Sequence, residues 1–252
     1  PANPSFFDPI GILVEGFEHP NRVLMPYNWA YYDRLIQASG LDKAMDLLAF
    51  GINREKINRE RYARAVELLQ KRLPNVKIRK MNLSKIKDEI KIIHAIYNQA
   101  WANNWGFSPL PIELLEHAAS DLKLIADEDI ALVAEDNGKP VAFSITLPDI
   151  HQALRKLGDG KLFPTGVFKL LYHKGKVTGL RTALAGVLPE YQGKGVDALM
   201  HHVSIENAYS KHYNEAEMSW VLENNIPMIR LAERAGAFVE KRYRMYKKAL
   251  SK

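Results

Sequence analysis

The sequence predicts an α/β fold, a mixed and mostly antiparallel sheet flanked by helices. Three stretches carry that reading. "DIALVAEDNGKPVAFSITLPD" (129–149) sets two β-rich runs around Asn-Gly, the dipeptide that best suits a tight hairpin. "GLRTALAGVL" (179–188) is an apolar strand that runs into a Gly-rich turn and then a helix. "EAEMSWVLENNIPMIRLAERAGAFVEKRYRMYKKAL" (215–250) reads strand, helix, strand.

The other elements follow in chain order. "RVLMPYN" (22–28) reads as a short strand, and "WAYYDRLIQASG" (29–40) as a helix closed by Gly40, which tolerates a left-handed C-cap. "KAMDLLAF" (43–50) reads as a strand. "REKINRERYARAVELLQKRLP" (54–74) is a charged amphipathic helix with Tyr62, Ala65, Val66 and Leu69 on one face and Pro74 at its end. "NVKIRKMN" (75–82) alternates apolar and polar residues, as a half-buried strand does. Ser84 caps the next helix, which carries an Ile86, Ile90, Ile93, Tyr97 stripe. "NNWGFSPL" (103–110) interrupts it, and Pro111 opens a second helix running to about Ala126. Residues 150–178 form a basic, mostly helical insert, and a helix from about Lys194 to Lys211 follows the Gly-rich turn.

Composition narrows the function classes. Cysteine is absent, which excludes disulfides, thiolate metal sites and a Cys nucleophile and fits a cytoplasmic protein. His151 and His173 have no ligand partners at metal spacing, so no metal is expected. No 18-residue apolar run and no secretory leader pattern are present. The first residue is Pro rather than Met, which suggests a processed or truncated chain. The net charge of +6 favours an anionic partner, but Lys and Arg are scattered, with no aromatic-interleaved stripe to signal nucleic acid. Nothing indicates an oligomeric state.

"LPEYQGKGVDAL" (188–199) is the stretch with chemistry in it. A helix start offers orphan N–H groups and the positive end of the dipole. Glycines let the backbone approach a ligand, so the amides of Gln192, Gly193, Lys194, Gly195 and Val196 can point at one pyrophosphate, with Lys194 adding charge. The plain alternative is a tight turn that needs two glycines for geometry. Asp197 then falls in the first helical turn, where a carboxylate favours the dipole provided it faces away from the loop.

These residues resemble the signature of the GNAT superfamily of acyl-CoA-dependent N-acyltransferases: Gln or Arg, two residues, Gly, one residue, Gly or Ala. Gln192 to Val196 fit it, and Asp197 departs from it. The resemblance covers about residues 76–250. "ENNIPMIRLAERAGAF" matches the family's second motif and places Asn225 on its Asn position. More narrowly, the chain resembles bacterial GNAT-like proteins that carry "YNxAWxxNWGF" (Tyr97 to Phe107) and a degenerate N-terminal GNAT half. The implied organisation is a partial GNAT-like lobe over 1–53, a helical connector over 54–74, and an acyltransferase domain over 75–252 with the 150–178 insert. A weak internal repeat agrees: Asn28, Arg34, Leu35 and Gly40 have the spacing of Asn224, Arg230, Leu231 and Gly236.

The resemblance implies acetyl-CoA or another acyl-CoA as co-substrate and a small-molecule or peptide amine as acceptor. It also implies that the amide of Val187 or Leu188 holds the thioester carbonyl where the neighbouring strands splay. The strand 179–188 lacks the Glu that many members place there. Glu217, Ser219, Val221 and Glu223 share a face of the next strand by period-2 alternation, which nominates Glu223 or Glu217 as the base. The usual acid Tyr is replaced by Ala232, leaving Tyr243 or Tyr246 as substitutes by type. Tyr97, Trp101, Asn104 and Trp105 are expected to wall the acceptor pocket. The missing Glu and Tyr keep a non-catalytic acyl-CoA binder in play, and the basic charge a tRNA-dependent tandem-lobed aminoacyltransferase.

Overall fold

Asn137 and Gly138 both take positive φ, 49° and 78°. They turn β4 (Ala131–Asp136) directly into β5 (Lys139–Pro148), as the right-handed twist of a hairpin requires. The computed structural model describes residues 9–57, 59–158, 160–161 and 163–249; the readings for residues 1–8 and 250–252 lie outside them. β6 (Gly179–Val187), β7 (Glu215–Leu222), β8 (Phe238–Lys247), β1 (Ile12–Glu15), β2 (Asp42–Asn53) and β3 (Val76–Lys80) complete one eight-stranded sheet, in the order β1-β8-β2-β7-β6-β5-β4-β3. β6 and β7 are parallel, and the other pairs are antiparallel. The expected α/β fold, a mixed and mostly antiparallel sheet between helices, is the one observed.

Helices cover both faces, which explains why β4 is apolar at successive positions. Ala131 and Val133 face α3 (Ile86–Ala100) and α4 (Ile112–Leu122), where Ile90, Ile93, Tyr97 and Leu115 pack. Leu132 and Ala134 face α7 (Val196–Tyr209) through Val196 and Met200. On the same side as α7, α8 (Ile226–Arg234) sets Ala232 on Leu48, Phe50 and Val221. The expected connector forms α2 (Arg59–Arg72), and it is a packed element: its Arg59 bonds Glu206 of α7 at 2.5 Å.

The N-terminal part departs from the sequence reading in two ways. Residues 22–28 are not a strand, because side chains take their backbone groups. Asp149 accepts from the Val23 N–H at 2.8 Å, Arg181 donates to the Val23 carbonyl at 3.1 Å, and Leu24 turns with φ of 61°. Asn28 is also not placed like Asn224. Its side chain bonds both the N–H and the carbonyl of Leu13 in β1, a local substitute for a ladder partner. The segment expected as a partial lobe sends β2 between β7 and β8, antiparallel to both. The short helix α1 (Tyr32–Ala38) forms as anticipated, and the insert supplies α5 (His151–Leu154) and α6 (Gly166–Lys174).

The β2 placement is reinforced by charge. Asp46 is buried and receives Arg244 at 2.7 Å and Lys43 at 2.9 Å. Burial alone would raise its pKa, but the bonds from Arg244 and Lys43 outweigh burial and hold it below the ordinary 3.8. A folded-state pKa below the unfolded one stabilises above the unfolded value and is lost as pH falls through the folded one. Asp46→Asn should therefore lower the urea midpoint near neutral pH. The gap from the wild type should close only as pH drops below 3.8, and a pH-independent gap would contradict this origin.

Candidate functional site

β6 and β7 pair only from Gly179–Glu215 to Thr182–Met218, yet β6 continues to Val187 and β7 to Leu222. They part because each is drawn to its outer neighbour by an irregularity. β7 carries one extra residue between Met218 and Val221 against Phe50 and Leu48 of β2, and β6 carries one between Thr182 and Leu184 against Thr146 and Ile145 of β5. Such bulges sharpen local twist and swing strands apart. A cleft of about 870 Å³ opens at the parting and runs under α3 and α4.

The register decides which backbone groups face it. Leu188 N–H donates to Val141 at 2.9 Å, so its amide is used within the β5–β6 ladder. Antiparallel alternation then turns the N–H groups of Val187 and Ala185 the other way, toward β7 and the gap. Their carbonyls, on the same edge, accept from Gln192 at 3.0 Å and from the Trp101 indole at 2.9 Å. Of the pair Val187 and Leu188, the Val187 N–H is the one turned toward the gap. The same alternation adds Ala185, which only the register could reveal.

The Gly-rich turn follows. Gly193 and Gly195 have φ of 71° and 93°, values that side chains resist, and Gly195 is the left-handed N-cap of α7. Five amides were expected to converge. Two of them, on Gln192 and Lys194, bond back to Pro189 and Tyr191 at 3.3 Å each. The N–H groups of Gly193, Gly195 and Val196 stay outside the turn's own bonds. A Cβ at Gly193 would meet nothing within 4 Å, so the loop is open for a ligand's close approach there. This arrangement fits a pyrophosphate at a helix N-terminus. Asp197 bonds the neighbouring Ala198 N–H at 2.9 Å and does not occupy the glycine amides. Lys194 is exposed, its ammonium 5.5 Å from the Tyr191 ring centre.

The overall fold is shared with solved structures. A GCN5-related N-acetyltransferase from Sphaerobacter thermophilus superposes with a TM-score of 0.54 at 16% identity, over 90% of this chain and 57% of that one. A tandem GNAT protein from the clavulanic acid biosynthesis pathway gives 0.52 at 10% identity, over 88% and 59%. The fold is that of the GNAT superfamily. No family model matches the chain. Among curated proteins, Protein YghO of Escherichia coli (strain K12) is 35% identical over 248 residues, 95% of this chain. A protein named bacterial ceramide synthase, from Caulobacter vibrioides, is 34% identical over 258 residues, 99% of this chain. The chain spans 62% and 66% of the lengths of those two relatives.

Within this GNAT fold the expected acceptor residues divide. Trp101, Asn104 and Trp105 line the cleft, with Trp105 37% exposed. Tyr97 does not: it is buried against Trp101 and Phe107, and burial pushes its phenol up to about 12. Asn225 lines the cleft while its side chain caps α8 through Met228 N–H at 3.3 Å.

The expected catalytic carboxylates stand elsewhere. Glu223 accepts from Asp46 N–H at 3.0 Å and from Lys43 at 2.7 Å, which fastens the end of β7 to β2. Glu217 is fully buried, holding Lys241 at 2.6 Å and the Ser219 hydroxyl at 2.7 Å. Neither lines the cleft. The alternation that put 217, 219, 221 and 223 on one face fails because the extra residue in β7 reverses it: Met218 and Val221 both face α8. Tyr243 is buried against Trp220 with its hydroxyl unbonded, and burial raises its pKa far above the usual phenol value. It too lies off the cleft.

Two groups that sequence reading missed do reach it. Arg181, 3% exposed at the last paired positions, donates to Ser219 and Val23, and burial pulls its pKa to about 10. His201, Thr182 and Met218 line both the cleft and a second apolar cavity of about 120 Å³ behind it. Burial lowers the His201 pKa below the ordinary 6.5, against an opposing pull from Asp197 one helical turn earlier, so the imidazole is neutral near pH 7. The sequence signal was available: Asp197 and His201 are four apart in a helix and so share a face. Among the described residues, no group of three or more His, Cys, Asp or Glu is placed to hold a metal, and no helix is long and apolar enough to cross a membrane.

Proposed function

We propose that the protein is an acyl-CoA-dependent N-acyltransferase acting on an amine, with the aliphatic chain of one reactant lying under α3 and α4. The observation that carries this is the parted β6–β7 pair, which turns the Val187 and Ala185 amides into the cleft beside the Gly193–Val196 helix start. The glycine-loop amides would hold the pyrophosphate. The Val187 or Ala185 N–H would donate to the thioester oxygen as it gains charge. Ile86, Ile90, Ile93, Leu115, Leu122 and Leu147 give the α3–α4 side an aliphatic lining, more than an acetyl group needs. The relative named bacterial ceramide synthase supports a long-chain amine or a long acyl donor. The test is thiol release from acetyl- to palmitoyl-CoA with short and long-chain amines, with CoA binding measured by calorimetry. Release confined to pairs with a long chain supports the proposal. No CoA binding would refute it.

His201 is the proton acceptor on this reading. It is neutral, it borders the gap, and Asp197 next to it favours the charged form that proton uptake creates. His201→Gln should lower kcat about 100-fold, the usual scale for loss of a general base, with CoA affinity unchanged. A base must be unprotonated, so kcat/KM should fall on the acid side, through a pKa below 6.5. If Glu223→Gln costs as much and His201→Gln costs nothing, the strand carboxylate is the base instead.

A further inference from the structure

Helix α6 presents an apolar face to solvent. Phe168, Leu171 and Tyr172, spaced three and four apart, are 73%, 63% and 62% exposed, and Phe163 in the preceding loop is 80% exposed. The opposite face, with Val167 and Leu170, is the half-buried one. Both faces of this short helix are thus apolar, and only the inner one is covered by the fold. Single exposed apolar residues are ordinary, but a ridge of four is the mark of a contact surface. The charge around it is one-sided: residues 155–176 contain six Lys and Arg and a single Asp. Lys174 donates to the carbonyl of Leu124, itself 74% exposed, and Leu122, Lys123 and Ala126 next to Leu124 line the cleft. The ridge therefore adjoins the rim of the cleft.

We infer that α6 and the loop before it dock on an anionic bilayer surface. Phe163, Phe168, Leu171 and Tyr172 enter the headgroup–acyl boundary and the flanking Lys and Arg meet lipid phosphates. Charge complementarity selects this occupant. A second copy of the chain would bring an equally basic ridge against this one, whereas an anionic membrane matches both the apolar face and its cationic border. The inference does not depend on the acyl-transfer reading.

The test is co-sedimentation of the whole chain with vesicles of phosphatidylcholine alone or mixed with phosphatidylglycerol. Partitioning into the anionic vesicles should exceed that into neutral ones by about 10-fold at low salt and weaken as salt rises. Phe168→Glu/Leu171→Glu should lower it about 10-fold, and so should Lys156→Glu/Lys169→Glu. All four residues are exposed, so circular dichroism should stay unchanged. Absence of partitioning, insensitivity to salt, or full binding by Phe168→Glu/Leu171→Glu would each overturn the inference. So would light scattering that shows a dimer which the apolar double variant dissociates, with no vesicle binding.

Discussion

Gly195→Val is expected to remove measurable CoA binding and to lower the melting temperature. Gly195 has φ of 93°, a left-handed conformation that costs an ordinary residue about 1–2 kcal/mol, and a β-branched one suffers most. A Cβ there would also sit 2.5 Å from Leu69 Cδ2. Only the side-chain end of Leu69 is met, so Leu69 must swing aside, and the left-handed φ at 195 remains strained. A backbone shift that relieves that strain turns the Gly193, Gly195 and Val196 amides away from a common point. Two controls separate these effects. Gly193→Ala keeps the strain at φ of 71° but meets no protein neighbour, so it should lower the melting temperature less, while its Cβ, projecting into the open approach, should still weaken CoA. Lys194→Ala removes only an exposed charge and should change affinity a few-fold at most. Leu69→Ala added to Gly195→Val should recover part of the stability. Calorimetry that finds equal CoA affinities for the wild type and Gly195→Val would sink the loop assignment.

Lys241→Met is expected to destabilise the fold by about 3–5 kcal/mol, the usual cost of leaving one member of a buried ion pair alone. Lys241 and Glu217 are 1% and 0% exposed and 2.6 Å apart. Without the ammonium, Glu217 keeps the Ser219 hydroxyl as its one direct hydrogen-bond partner among the described residues, with the buried charge of Arg181 still acting on it. Pairing the substitution with Glu217→Gln removes the stranded charge and should recover much of the loss, so urea unfolding of the two single variants and the double should show strong coupling. A Lys241→Met variant within about 1 kcal/mol of wild type would mean that water reaches the carboxylate and that the pair is not sealed.

The sequence alone determined what short-range chemistry dictates. Asn137-Gly138 fixed the hairpin because few other dipeptides take two positive φ values. The bare run from Gly193 to Val196, between an apolar strand and an apolar helix, marked a helix start built for close approach. The element order from Val76 to Lys247 followed from periodicity and carried the GNAT resemblance.

Tertiary structure decided the rest, because those features depend on partners far away in the chain. The strand at Asp42–Asn53 was legible, but its slot between β7 and β8 was set by registers made with residues 215–222 and 238–247. The expected shared face of residues 217, 219, 221 and 223 was lost for a similar reason. Period-2 alternation holds only for a strand without bulges, and the extra residue in β7 exists only relative to β2. Likewise, Glu217 reads as a free carboxylate until folding brings Lys241, 24 residues on, against it in the buried interior, where a charge must be paired.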